Sequence, residues 1–409
     1  MRLQLTVALL LLPAAAWAEG DGQARMTLFK EASSRNDGIT VLHPQADLSG
    51  DAGSSLHLSA GYSADIVSGA TPAIFGPSKG PDAITSATKF TDIRHAGHAS
   101  LDYTAGTVGL TLGYDYGTEN DYRSQAVSVG ARGDLFDRNL TLGLSYTHNF
   151  DQVCDANNRD VMTPLERRPL ASSAHCFQSN QMDVVTESLD IDSFEPTLTW
   201  TASPRLLVQG GGTIQLLDGF QSNPYRAVLV GSEHRTPQES EPLERQRFAV
   251  FLRTAYAVPQ FRASISLMGR GYWDTWGIRA GTGEVVFQKY LATWLLLKAN
   301  GRYHRQNGAK FYRTADDYRS LGPAGAYWTG DRELSPMHNW FVGGKLAYLQ
   351  ASQEGRLVWG AFNQIELGLA MDYLIYGLDS TCPPGVDECA PNADRDHAFI
   401  VQSAFVLRW

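Results

Sequence analysis

Apolar and polar residues alternate at every second position along much of this chain. Leu56, Leu58, Ala60, Tyr62, Ala64 and Ile66 alternate with His57, Ser59, Gly61, Ser63 and Asp65. Val108, Leu110, Leu112, Tyr114 and Tyr116 alternate with Gly109, Thr111, Gly113 and Asp115. The same rhythm returns at Leu140–Tyr146, Phe248–Tyr256 and Phe261–Leu267, and again in the last residues, His397–Trp409. A repeat of two is the side-chain period of a β-strand, so each segment predicts a strand with one apolar and one polar face. Strands are predicted near 25–31, 39–48, 54–66, 90–103, 107–116, 122–135, 139–150, 183–201, 205–217, 245–257, 261–275, 278–289, 293–306, 335–350, 356–376 and 397–409. That is about sixteen. The first two carry the weakest pattern, so fourteen is the alternative.

The connections fall into two kinds. Short turns are expected at 104–106, 136–138, 202–204, 258–260, 290–292 and 351–355, and mostly long stretches between them, at 67–87, 151–181, 218–244, 307–332 and 377–396. Short turns at one end and long loops at the other is the asymmetry of an outer-membrane barrel. The alternative is a soluble β-sandwich. Against it stand strands longer than the usual 5–6 residues and aromatic residues near strand ends on the apolar face. Tyr103, Tyr114, Tyr116, Tyr146, Trp200, Tyr256, Trp273, Trp340, Tyr348 and Tyr373 fit the two interfacial girdles of a membrane barrel. The fold class expected is therefore all-β, a transmembrane antiparallel outer-membrane β-barrel embedded in outer-membrane lipid.

The two termini add to this picture. Residues 1–18 carry Arg2, an apolar run from Leu3 to Leu12 and Ala16-Trp17-Ala18, the pattern of a secretory signal peptide. The expected organisation is signal 1–18 and one barrel domain, 19–409. Phe405, Leu407 and Trp409 share one face of the last strand and end the chain on an aromatic residue, like the C-terminal signal read by outer-membrane assembly machinery. A net charge of −9 without a basic run argues against a nucleic-acid partner. Four cysteines in an exported chain point to two disulfides, Cys154 with Cys176 and Cys382 with Cys389, the alternative being free thiols.

Several blocks carry a resemblance to a known family: "DIVSGATPAIFGPSKG" (65–80), "TKFTDIRHAGHASLDY" (88–103), "GTENDYRSQAVSV" (117–129), "GYWDTWGIRA" (271–280), "RYHRQNGAKFY" (302–312) and "DRELSP" (331–336). Together they resemble an uncharacterised family of outer-membrane barrels, domain of unknown function 3570. The resemblance implies a barrel and an outer-membrane location, and no demonstrated activity. It also implies genes nearby for extracytoplasmic flavin-transfer and thioredoxin-like proteins, hence a periplasmic redox or lipoprotein partner. The long cysteine-bearing loop at 151–181 departs from the family.

Candidate chemistry lies on the polar face. The strand phase points Asp115, Arg132, Asp134, Gln209, Gln215, Arg247, Arg253, Arg262, Arg270, Asp274, Arg302, His304, Lys345, Glu366 and Asp372 inward as pore-lining residues. A basic ladder on one wall facing carboxylates on another makes a transverse field that biases passage toward particular ions. The alternative is that these charges pair across the lumen and fill it. The segment 68–90, with Ile74 and Phe75 at its centre, is either an exposed loop or a constriction folded into the lumen. The acidic loops "CDANNRD" and "DSTCPPGVDECAPNADRD" lack the EF-hand spacing and read as solvated rather than as calcium sites.

For catalysis, Ser145 and His148 share a strand but differ by an odd number and face opposite sides. The single G-x-S-x-G match, Gly76-Pro77-Ser78-Lys79-Gly80, lies in the Gly/Pro-rich stretch 68–90 rather than at a strand-to-helix turn. The expectation is a porin-like channel or transporter for a small solute or ion, without enzyme activity, metal or cofactor. The alternative is a filled barrel that scaffolds the periplasmic partner.

Overall fold

The computed structural model describes residues 19–32, 39–69, 90–156, 164–170, 176–177, 184–351, 357, 362–378 and 395–409, less positions 229, 231–234, 236, 314 and 324. Sixteen strands form one sheet. They are β1 Gly20–Ala32, β2 Ile39–Asp51, β3 Leu56–Gly69, β4 Phe90–Ala105, β5 Val108–Thr118, β6 Tyr122–Leu135, β7 Leu140–Ala156 and β8 Val184–Ser203. They continue with β9 Leu206–Gly219, β10 Glu244–Val258, β11 Ala263–Asp274, β12 Arg279–Ala292, β13 Leu295–Gln306, β14 Met337–Ala351, β15 Gln364–Leu378 and β16 Arg395–Arg408. Each strand is antiparallel to the next in sequence, and β1 pairs with β16, which closes the barrel. Closure leaves no edge strand with unpaired backbone groups, a requirement in lipid. A short helix, α1, spans Ala315–Leu321 in the β13–β14 connection.

The apolar face points outward. Leu110, Leu112, Leu144, Leu252, Leu267, Val342, Leu369 and Met371 are all exposed, Leu252 to 57 % and Met371 to 61 %. In water such a surface would be costly; against hydrocarbon it is the stable arrangement. Aromatic residues bound this band at both ends. Tyr62, Tyr114, Phe248, Trp273, Trp340 and Phe399 face out toward the long-connection end, and Tyr103, Trp200, Tyr256, Trp294, Tyr348 and Phe405 toward the short-turn end. Phe248 stacks on Trp273 with ring centroids 5.7 Å apart. These are the two girdles of a membrane-spanning barrel. Phe405, Leu407 and Trp409 share the outward face of β16, since alternate positions of that strand pair with outward residues of β15 and β1.

Several strand boundaries differ from the sequence reading, β7 for one running to Ala156 rather than to about 150. β1 begins at Gly20 rather than near 25, because the seam with β16 extends the pairing to Asp21–Arg408. β15 begins at Gln364 rather than near 356. Arg262, expected to point into the lumen from a strand, lies instead in the β10–β11 turn. It caps the 3₁₀ turn Pro259–Phe261 in the left-handed region, φ 48°, with its N–H on the Pro259 carbonyl.

Candidate functional site

With alternate residues of each strand facing lipid, the others face the interior, and the register sorts them into two charged walls. On one side β10 to β14 turn Arg245, Arg247, Arg253, Arg270, Lys298, Arg302 and Lys345 inward. On the other, β2 to β6 turn Asp47, Asp51, Asp65, Asp102, Asp115 and Asp134 inward, with Arg94 and Arg132 among them. Strand β2 and strand β10 are half-way round the sixteen-strand barrel from each other, so the walls are opposed.

The basic wall is partly neutralised from within. Arg245 is buried and binds Asp274 through Nε at 3.0 Å and Nη2 at 2.6 Å, and its guanidinium lies 4.0 Å over the Trp276 ring. Tyr272 donates to the same carboxylate at 2.9 Å. Arg253 lies 3.7 Å from Glu284, and Lys345 binds Glu366 at 2.8 Å. Arg302 lies over the Phe341 ring, and His304 meets Thr282 Oγ1 at 2.8 Å. Asn300 donates to Asp372 at 3.2 Å.

The acidic wall also carries histidines. His43 binds Asp65 at 2.6 Å, His57 binds Asp51 at 2.7 Å, and His98 lies 3.6 Å from Asp47. Gln23 and Gln45 also donate to Asp47, at 3.0 and 2.9 Å. Thr141 donates to Asp134 at 2.7 Å, Thr111 to Asp102, and Arg132 to Thr104 at 3.2 Å. Gly61 separates Asp47 from His98 in register, and a Cβ there would collide with both. Its bare backbone lets the histidine reach across an intervening strand. Gly343 does the same for Asn300 and Asp372.

At the long-connection end, inward apolar residues meet the loops. Val153, Leu189 and Leu217 pack with Phe220, and Trp276 and Ile278 pack with Ala309, Phe311 and Leu334. The loops are knitted to one another. Cys154 and Cys176 form a disulfide of 2.03 Å, as the sequence reading expected, and pack with Leu170 and Tyr225. Leu170 N–H donates to Pro224 O at 2.6 Å, and Ser240 and Trp328 pair through their backbones at 2.9 Å in both directions. Val228, Val230, Tyr318 and Trp328 make a small core there. Arg226 sits beside it, bonded to Glu239 at 3.1 Å and Asp331 at 3.2 Å, with Thr329 donating to Glu239 at 2.9 Å. Burial raises the pKa of Glu239. It raises Glu241 further, because Glu239 and Asp331 add negative charge beside it while Arg226 only partly offsets them. Ile74, Phe75, Cys382 and Cys389 lie outside the described residues.

The inward phase thus covers every pore-lining candidate named from the sequence except Arg262, together with Gln209 and Gln215 on β9, where Gln215 donates to Ser193 at 3.1 Å. Ser145 faces inward and His148 outward, where His148 meets Asp192 at 2.9 Å.

A closed barrel with an apolar outer band and a charged inner wall defines the class: a transmembrane β-barrel. The profile of the proteins of unknown function DUF3570 matches residues 5–354, and the chain belongs to that family. No curated protein matches it in sequence. Among solved structures, it is similar to a bacterial polysaccharide outer membrane secretin at 10 % identity and a TM-score of 0.46, covering 95 % of this chain and 98 % of that one. It is also similar to the outer membrane protein opdK from Pseudomonas aeruginosa, at 8 % identity and a TM-score of 0.43, over 96 % and 99 % of the two chains. A third is the CymD monoaromatic hydrocarbon channel, at 9 % identity and a TM-score of 0.43, over 97 % and 90 %.

Proposed function

We propose that the protein is a channel in the outer membrane of a Gram-negative bacterium, passing small charged or polar solutes between two walls of opposite sign. Residues 1–18 act as the export signal, and Phe405, Leu407 and Trp409 present the face that assembly machinery reads. One observation carries the channel reading. Charged side chains inside a closed barrel keep much of their surface accessible, 44 % for Arg253, 41 % for His57 and 34 % for Asp65. A filled lumen would bury them and would have to pair each one, since unpaired buried charge is costly. Sixteen strands also enclose enough width for water.

The test is single-channel conductance of the folded protein in a planar bilayer under a salt gradient. Steady, ion-selective conductance is expected. Arg253→Glu with Arg270→Glu should move the reversal potential toward cation preference. A silent bilayer from correctly folded protein overturns the channel reading in favour of a filled barrel holding a periplasmic redox or lipoprotein partner.

A further inference from the structure

The outer rim of the barrel is polarised. Trp273, Tyr303 and Trp340 form the aromatic row on β11, β13 and β14 at the long-connection end, and basic side chains stand directly beside or above it. Arg279 is the cross-strand partner of Trp273. Arg305 follows Tyr303 by two positions on the same face and is paired with His338, which precedes Trp340 by two. Arg279 and Arg305 are both exposed and lie diagonally across the β12–β13 pair, a spacing that long side chains bridge. His397 and Lys30 continue the basic row on β16 and β1. The neighbouring sector, beyond β11, is acidic. Asp190, Asp218 and Glu244 stand directly opposite one another in register across β8, β9 and β10, with Asp192 one outward position from Asp190.

We infer that the β12–β14 rim, centred on Arg279 and Arg305, binds the phosphorylated headgroup of a glycolipid in the outer leaflet. The aromatic row fixes the level at which lipid headgroups meet the barrel. Guanidinium groups at that level form the charge-assisted, bidentate contacts that suit phosphate oxygens. The acyl chains of such a lipid would lie on the apolar band below, where Gly281, Gly283 and Gly301 make the outward surface flat beside Val285 and Val342. The carboxylate row on β8–β10 repels the same headgroup and so bounds the site on its β10 flank. This inference needs the barrel to span a membrane and does not depend on conduction.

The test is native mass spectrometry of the full barrel in detergent with bisphosphorylated lipid A, and with phosphatidylethanolamine as the zwitterionic control. Selective retention of lipid A is expected, weakened about tenfold or more in the Arg279→Gln/Arg305→Gln protein and kept in Asp218→Asn. A heat-dependent gel shift confirms that each variant is folded, and Arg279→Lys/Arg305→Lys, which keeps the charge but loses the bidentate fork, should bind lipid A more weakly than wild type and more tightly than the double Gln variant. Equal retention by wild type and the double Gln variant overturns the inference, as does no preference for lipid A over the control. Displacement of lipid A by an equal concentration of inorganic phosphate overturns it too, because the site would then hold a free anion.

Discussion

Trp409 and Gly20 hold each other across the barrel seam. Trp409 N–H donates to Gly20 O at 3.1 Å, Gly20 N–H returns to Trp409 O at 3.4 Å, and the indole occupies the space a Gly20 side chain would fill. A Cβ on Gly20 would fall 2.6 Å from both Ser49 O and the indole. Gly20→Val should therefore displace the ring and cost about 1–3 kcal/mol, the usual penalty of overpacking. The readout is the urea midpoint of the heat-modifiable gel band. Gly133→Ala, where a Cβ meets nothing within 4 Å, should leave the midpoint unchanged.

The strand phase has its own test. Leu144 faces lipid at 56 % exposure, and Ser145 faces the lumen opposite Glu195. Leu144→Arg should destabilise the barrel by about 2–4 kcal/mol, the cost of a cation on the lipid face near mid-membrane. Ser145→Arg gains a carboxylate neighbour and should be tolerated. Folding titrations in lipid vesicles separate them, and equal costs would refute the assignment of inside and outside.

The loop core responds to pH with a defined sign. Burial, followed by the charges of Glu239 and Asp331, holds Glu241 protonated to well above its ordinary pKa of 4.5. The folded loop thus binds a proton that the unfolded loop releases. Its stability is full below about pH 4.5 and falls as pH rises from there through the raised value. Hydrogen-exchange protection in 220–243, taken relative to the intrinsic rate at each pH, should fall from pH 5 to pH 8. Glu241→Gln should flatten that fall and raise protection at neutral pH.

Cys154 and Cys176 close a span of 22 residues. In the chain-entropy account such a link contributes about 3 kcal/mol to the order of the loop it closes. Replacing both by serine should expose the Arg167–Arg168 bond to trypsin, while the barrel band on gels stays in place, because its strands are held by their own ladders. Unchanged cleavage would mean that the contact of Arg167 with Asp155 and the Leu170–Pro224 hydrogen bond suffice alone.

The barrel was legible because lipid and lumen impose a period of two over long strands, and that period survives substitution. Leu110, Leu252 and Leu367 announce the outward face wherever they fall in it. Arg262 misled because alternation in the sequence continues through the turn, whereas the left-handed backbone there redirects it. The histidine–carboxylate wall was not legible. His43 and Asp65 are 22 residues apart and meet only through register, and His98 reaches Asp47 only because Gly61 lies between them. The loop core was hidden for another reason. Val228, Tyr318 and Trp328 are isolated apolar residues from two connections, with no period to link them.

The opposed walls have a consequence beyond a preference for one sign of ion. A molecule carrying separated positive and negative groups experiences a torque between them and turns its anionic end toward Arg253 and Arg270 and its cationic end toward Asp47 and Asp65. In the proposed channel, transit would then depend on the distance between the molecule's own charges as well as on their sum. Two zwitterions of equal mass and zero net charge should pass at different rates, the better-aligned one losing less rotational freedom on entry.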